Sequence, residues 1–236
     1  MRIAEIWRYP VKSLQGEPLE IAAVTRGGIE GDRRFAIYDL ETGLGLTARR
    51  VPELLFASAR SHDGTVEIQL PDGSIAANDD ALTSWLGRPV ALRSADQEVS
   101  RQYENVVDFE HEATSDWTAF QGAGGAFHDS LAARVSLVST ATIGAWDRRR
   151  FRPNILLEGD GEDALVGSSI ALGDTILHVG GQIKRCVMTT RPQPGGIERD
   201  LDVLRTIARE RAARLAVAAL VDQAGTVRIG DTVRTS

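Results

Sequence analysis

Cys186 is the only cysteine in the chain, and it stands in the segment IKRCVMTTRPQPGG, directly after Lys184 and Arg185 and ahead of the turn-forming Pro192, Pro194, Gly195 and Gly196. Cationic neighbours favour the thiolate, the form that attacks electrophiles and binds metals. An inert thiol is the competing reading, because free cysteine also packs as a small buried hydrophobe. Three further segments carry anion-binding residue types. In FRPNILLEG, residues 151–159, Arg152 and Asn154 bracket Pro153 where a strand begins, and alternation sets both side chains on one side. Proline locks the backbone between them, so a guanidinium fork and an amide can meet one ligand. In YPVKSLQG, residues 9–16, Lys12 and Ser13 follow a strand in a turn, and in GDRRF, residues 31–35, Arg33 and Arg34 precede the next strand. Each of these is equally consistent with solvated charge at a strand end. Together they form a site only if the fold gathers them.

Other chemistries find less support. His62, His111, His128 and His178 lack the close spacing of a helical metal pair, and His111-Glu112 lacks the second histidine of a zinc-protease motif. The GAGG at 122–125 has no following Lys-Ser/Thr and reads as a flexible loop, not a phosphate loop. Asp79-Asp80 and Glu162-Asp163 read as cap and turn residues, and no serine is flanked as G-x-S-x-G, so hydrolase chemistry has no foothold.

The elements that must position these residues are mostly strands. Residues 1–77 alternate or are β-branched in short runs, at 3–8, 19–25, 35–39, 54–60, 65–70 and 74–76, separated by glycine-rich turns, with Asp63-Gly64 and Asp72-Gly73 as hairpin signals. Asn78, Asp79, Asp80 and a closing Gly87 frame a short helix. Residues 94–125 read as a long connecting loop, a length more often functional than decorative. Beyond it, a strand at 134–138 leads into a helix capped by Ser139-Thr140, running through Ile143 and Trp146 to Arg148, Arg149 and Arg150. Strands follow at 154–157, 169–172, 175–179 and 182–189, then a helix opened by Asp200 and a strand at 215–221. The expected architecture is mostly β with a few helices, divided into an amino-terminal β-rich unit at 1–93 and a second unit at 94–236.

Composition narrows the function. The chain has 236 residues and a formal charge of -6, which argues against general nucleic-acid or anionic-membrane binding, so any anion site must be local. A single cysteine permits no intrachain disulfide and no iron–sulfur cluster, and suits a reducing compartment, so the expected location is cytoplasmic. The amino terminus lacks the apolar stretch of a signal peptide, and no window approaches the ~18 apolar residues of a membrane span.

The order YPVKS, GDRRF, FRPN, RCVMTTRPQPGG and a final GTVRIGD at 225–231 resembles the MOSC family, named after the carboxyl-terminal domain of molybdenum cofactor sulfurase. YPVKS and GDRRF resemble the β-barrel module that precedes MOSC in amidoxime-reducing components and in bacterial hydroxylaminopurine reductases. The resemblance implies a MOSC β-barrel core with a smaller β-rich module and a molybdenum–molybdopterin cofactor between them. It further implies that Cys186 ligates the metal as thiolate and is the catalytic residue, and that Lys12, Ser13, Arg34, Ser130, Arg152, Asn154, Lys184 and Arg185 contact the cofactor. Ser130 comes from His128-Asp129-Ser130, which lies about two residues further from the next strand than the family pattern has it. Leu215-Ala216-Val217-Ala218 replaces a Phe-Gly strand common near the family's end.

The implied activity is reduction of N-hydroxylated substrates such as amidoximes, hydroxylamines or N-hydroxypurines, releasing the oxygen as water. With no cluster or flavin motif in the chain, electrons must come from a separate donor protein. Two alternatives remain open: a carrier that hands on the cofactor or a persulfide on Cys186, and a module binding another anionic small molecule. A persulfide carrier needs Cys186 but not the amino-terminal grip of Lys12, Ser13 and Arg34.

Overall fold

The computed structural model describes residues 1–235. Its framework is an eight-stranded sheet in the spatial order Arg234–Thr235, Ser169–Leu172, Thr175–Lys184, Arg214–Gln223, Val135–Ser139, Ile155–Glu158, Arg2–Arg8, Glu17–Leu19, curled into a half-barrel. Neighbours are antiparallel except Val135–Ser139 against Ile155–Glu158. That parallel pair requires a crossover, and the crossover is what delivers Arg152 and Asn154 to the start of the interior strand Ile155–Glu158. Ile3, Ile6, Leu137, Ile155, Leu157, Leu177, Val179 and Val217, all buried, close the interior. At roughly 1.5–3 kcal/mol per fully buried aliphatic side chain, this cluster dominates the folding drive of the sheet.

A second core is built almost wholly from residues before 91. Val11, Leu14, Ile37, Leu54, Leu55 and Leu82 meet beneath the hairpins Ser58–His62/Thr65–Gln69 and the antiparallel pair Phe35–Asp39/Val90–Ser94. The helix Asp79–Leu86 starts where Asn78 accepts the Ala81 N–H at 3.0 Å and ends at Gly87, whose φ of 64° glycine adopts without cost. Both chain ends pack into the first core: Arg2–Arg8 lies in the large sheet, and Ile21–Thr25, which pairs with Gly225–Arg228, adds Ala22, Val24 and Val227 to the same cluster. Among the described residues no helix is long and apolar enough to cross a membrane.

Several expected boundaries move. The run 19–25 splits into Glu17–Leu19 and Ile21–Thr25, which join different sheets. Pro52 opens a 3-10 turn, Pro52–Phe56, so the strand expected at 54–60 begins only at Ser58. The helix after Ser139 stops at Ile143 because Gly144 turns the chain, and Arg148–Arg150 form a separate 3-10 turn capped by Asp147. Thr175–Lys184 runs unbroken through Gly180-Gly181, and Val187–Thr190 is 3-10 rather than strand.

The largest correction concerns 94–125, which is not a structureless loop. Gln102–Val106 and Trp117–Gln121 form an antiparallel hairpin. Its polar composition hides a strong tertiary reward: the Tyr103 ring is fully buried, 5.6 Å from that of Phe120, and sits between two glycines. A Cβ at Gly45 would lie 2.3 Å from Tyr103 Cε1, and one at Gly122 2.5 Å from Tyr103 Cε2. We expect Gly45→Ala to lower stability by about 1–3 kcal/mol through overpacking, read as a shift in the denaturation midpoint. An unchanged midpoint would show that the ring can shift.

Candidate functional site

Between the two cores lies a cavity of about 460 Å³. One wall is the outer face of Thr175–Lys184, where period-two alternation presents Gly180, Gln182 and Lys184, with Cys186 two residues further on. The opposite wall comes from the turns carrying Lys12, Ser13, Arg33, Thr47 and Arg49, and the floor from the crossover residues Phe151, Arg152 and Asn154. A Cβ added at Gly180 or Gly181 would meet nothing within 4 Å, so bare backbone leaves that side open. Six cationic side chains line the cavity (Lys12, Arg33, Arg49, Arg152, Lys184, Arg185) against one carboxylate, Asp129. In a chain of net charge -6 this is a concentrated positive field. A separate surface pocket beside Trp146 and Asp147, about 320 Å³, contains none of these residues.

Several polar groups on the wall are buried without partners. Arg152 is 5 % exposed, and neither of its terminal nitrogens has an acceptor; the guanidinium rests 4.2 Å from the Tyr9 ring centroid. Arg185 donates Nε to the Leu215 carbonyl at 2.8 Å and Nη1 to the Phe151 carbonyl at 3.1 Å, but Nη2 is unpaired. His128 Nε2 and Thr47 Oγ1 also lack partners. Burial pulls both Arg152 and Arg185 down to about 10, and desolvation together with Arg33 pulls His128 down to about 4, leaving a neutral imidazole at pH 7. Unsatisfied buried donors cost free energy, about 1–3 kcal/mol each and more when charged, and an anion with several acceptor oxygens would satisfy them together.

Backbone strain concentrates here as well. Of seven described non-glycine residues with positive φ, three line the cavity: Ser13 at 70°, Arg33 at 51° and Arg152 at 51°. Such conformations cost on the order of 1 kcal/mol each and persist where the surroundings enforce them. Ser13 Oγ accepts the Ala48 N–H at 3.0 Å, and Arg33 pairs with buried Asp32, which also accepts the Tyr9 N–H at 2.8 Å. These contacts hold both turns against the floor.

Cys186 is half-buried at the cavity edge. The cation in contact with its sulfur is Arg49, whose Nε donates to Sγ at 3.3 Å, rather than the neighbouring Lys184 or Arg185. Arg49 Nη2 pairs with Asp129 Oδ2, and Asp129 Oδ1 pairs with Lys12, which also donates to the Phe127 carbonyl at 3.0 Å. The Asp129 carboxyl is held far below the usual carboxylate range by Arg49 and Lys12, whose attraction outweighs its desolvation.

The structure brings Lys12, Ser13, Ser130, Arg152, Asn154, Lys184 and Arg185 to this cavity, with Cys186 at its edge. Asn154 is largely committed to the fold: Oδ1 accepts from Ser136 N and Oγ at 3.2 and 3.0 Å, and Nδ2 donates to the Trp7 carbonyl at 3.3 Å. It therefore fixes the crossover beside Arg152. Ser130 is exposed, its Oγ accepting the Ala132 N–H at 3.1 Å. Arg34 is not brought to the cavity. Its guanidinium pairs with Asp96 at 2.8 Å on the outer face, and Arg33, turned inward by its left-handed backbone, occupies the wall. Thr47, Arg49 and the His128 ring are additional wall residues that spacing did not signal.

The electrostatics predict a pH effect. Burial lowers Lys12 to about 8, with Asp129 opposing the shift. Affinity for a phosphate-bearing anion is therefore expected to fall as pH rises through 8, when Lys12 loses its charge. Stability should move the other way. The unfolded Lys12, titrating near 10.5, binds more protons than the folded one between 8 and 10.5, so this group adds stability as pH rises there. Titrating pyrophosphate into the protein at pH 7 and 9, with denaturation midpoints at both, checks the two signs. Affinity unchanged at pH 9 would remove Lys12 from the anion contacts.

Two family descriptions cover nearly the whole chain: a MOSC N-terminal beta barrel domain over residues 1–117 and a MOSC domain over residues 125–234. The chain belongs to the MOSC family and carries both of its domains. It is 25% identical to mitochondrial amidoxime-reducing component 1 of Mus musculus, the match covering 98% of this chain and 81% of that protein. It is 26% identical to molybdenum cofactor sulfurase of Drosophila grimshawi over 88% of this chain, but spans only 30% of that protein. Superposition on the YUAD protein from Bacillus subtilis covers 98% of this chain and 93% of that one, at 12% identity and a TM-score of 0.43.

Proposed function

We propose that this chain binds the molybdenum cofactor and is a cytoplasmic oxidoreductase that reduces N-hydroxylated compounds such as amidoximes, hydroxylamines or N-hydroxypurines, drawing electrons from a separate donor protein. The observation that carries the reading is one cavity lined by six cations, with unpaired donors on Arg152 and Arg185 and the chain's sole thiol at its edge. The donor set suits the group. The pterin's terminal phosphate offers acceptors for Arg152, Arg185, Lys12 and Arg33, and Cys186 offers one soft thiolate to the metal. The relatedness to a protein named amidoxime-reducing component supports the substrate class.

When bound, the cofactor supplies the two-electron chemistry of oxygen removal, and the protein supplies ligation, orientation and electrostatics. Arg152 and Arg185 are preorganised for an anion because the Tyr9 ring and the carbonyls of Leu215 and Phe151 already fix their planes. Asn154 holds the crossover in register, and neutral His128 adds an uncharged nitrogen without competing for the phosphate.

Expression in a host that makes the cofactor, followed by molybdenum and pterin analysis and assay with an N-hydroxylated compound and a chemical reductant, tests the reading. Near-stoichiometric metal and pterin with turnover is expected. Cofactor without turnover on any such substrate would favour a carrier. Absence of both metal and pterin would leave a module for another anion.

A further inference from the structure

Arg49 comes from the amino-terminal half of the chain, yet it is the guanidinium in contact with Cys186 Sγ. Its own orientation is fixed by three further contacts. Nη2 is paired with Asp129, the guanidinium lies 5.0 Å from the Phe120 ring centroid, and its side chain is only 11% exposed. Its carbonyl accepts from Arg191 Nη2, and Arg191 is gripped in turn by Glu112, with Nη1 to Oε2 at 2.7 Å. Glu112 sits in the turn of the 102–121 hairpin, and Arg191 belongs to the segment that follows Cys186. The hairpin thus clamps both the turn carrying Arg49 and the turn carrying the cysteine.

We propose that Arg49 is a positioning residue for the cysteine sulfur, holding Cys186 Sγ in a single orientation at the edge of the cavity so that the metal is ligated in one geometry. This inference rests on the cofactor reading above. A guanidinium presents nitrogens in a fixed plane, so one side chain can serve Sγ and Asp129 together; a lysine ammonium on a flexible stem is a point charge and cannot reproduce that fork. Partners of metal ligands typically change activity by about 10–100-fold when removed, without being ligands themselves.

The test compares wild type, Arg49→Lys and Arg49→Met, expressed in the cofactor-competent host. Measurements are molybdenum and pterin content, the electron paramagnetic resonance spectrum of the partly reduced metal, and kcat and KM separately. Arg49→Lys, which keeps the charge beside Asp129, serves as the folded comparison if Arg49→Met does not fold. We expect pterin to be retained in Arg49→Lys, with the single wild-type signal replaced by several overlapping species and kcat lowered by at least about 10-fold at little change in KM. A wild-type spectrum and a kcat within about twofold in Arg49→Lys would overturn the proposal while leaving the cofactor reading standing. Wild-type protein free of molybdenum and pterin would overturn the cofactor reading itself, and this inference with it.

Discussion

Arg152→Met should make the cofactor-free protein more stable and at the same time strip it of its ligand. The guanidinium is 5 % exposed, its two terminal nitrogens have no acceptors, and burial holds it down at about 10. Its stacking on Tyr9 recovers only part of the desolvation cost. Methionine is unbranched like arginine, so the strained φ of 51° is no worse tolerated, and the Arg152 N–H to Arg148 carbonyl bond is untouched. Relief of an uncompensated charge should add about 1–3 kcal/mol, and each kcal/mol raises Tm by about 2–4 °C for a chain of this size. Removing a buried partner of an anion should cost binding about 2–5 kcal/mol, between roughly 30-fold and several thousand-fold in affinity. Thermal unfolding of the apo-protein and pterin content after gel filtration read the two effects. A variant that is less stable yet keeps its pterin would show that Arg152 is a structural residue, not part of an anion cradle.

Cys186→Ala should separate metal chemistry from cofactor grip. Sγ is half-buried and accepts one hydrogen bond, from Arg49, so its loss costs the fold on the order of 1 kcal/mol. The cationic wall remains, and pterin content is expected to stay near wild type. Turnover of an N-hydroxylated substrate should fall by more than about 100-fold, because no other thiolate exists in the chain to replace the soft ligand. Cys186→Ser, which offers a hard oxygen in the same place, should not restore it. Full turnover in Cys186→Ala would end the assignment of this residue to the metal. The Arg152 and Cys186 variants thus fail in opposite ways, one without pterin and the other with pterin but no chemistry.

Much of this was legible along the chain. The short alternating runs, the Asn78 and Asp200 caps and the glycine punctuation declare a mostly β protein, because period and turn chemistry are local properties. The lone cysteine, FRPN and YPVKS stood out as candidates by residue type, but type alone left an inert thiol and solvated strand-end charge equally open, and the metal and cofactor roles came only with the resemblance carried by the order of the motifs. The hairpin at 102–121 did not declare itself, since what makes Tyr103 a core residue is the pair of glycines, Gly45 and Gly122, that leave room for its ring.

The finer choices at the site were tertiary. Arg33 and Arg34 are indistinguishable as letters, and a left-handed φ at Arg33 sends it to the cavity while Arg34 turns out to Asp96. Arg49, in LTARRVP, looks like any solvated turn arginine until the fold sets it against a sulfur 137 positions away. Residue types and local periodicity therefore determined the class of fold and marked the segments that line the cavity. Which cations face the cavity, and which one contacts the thiol, was decided by packing, because backbone strain and long-range burial depend on contacts that no local stretch of sequence contains.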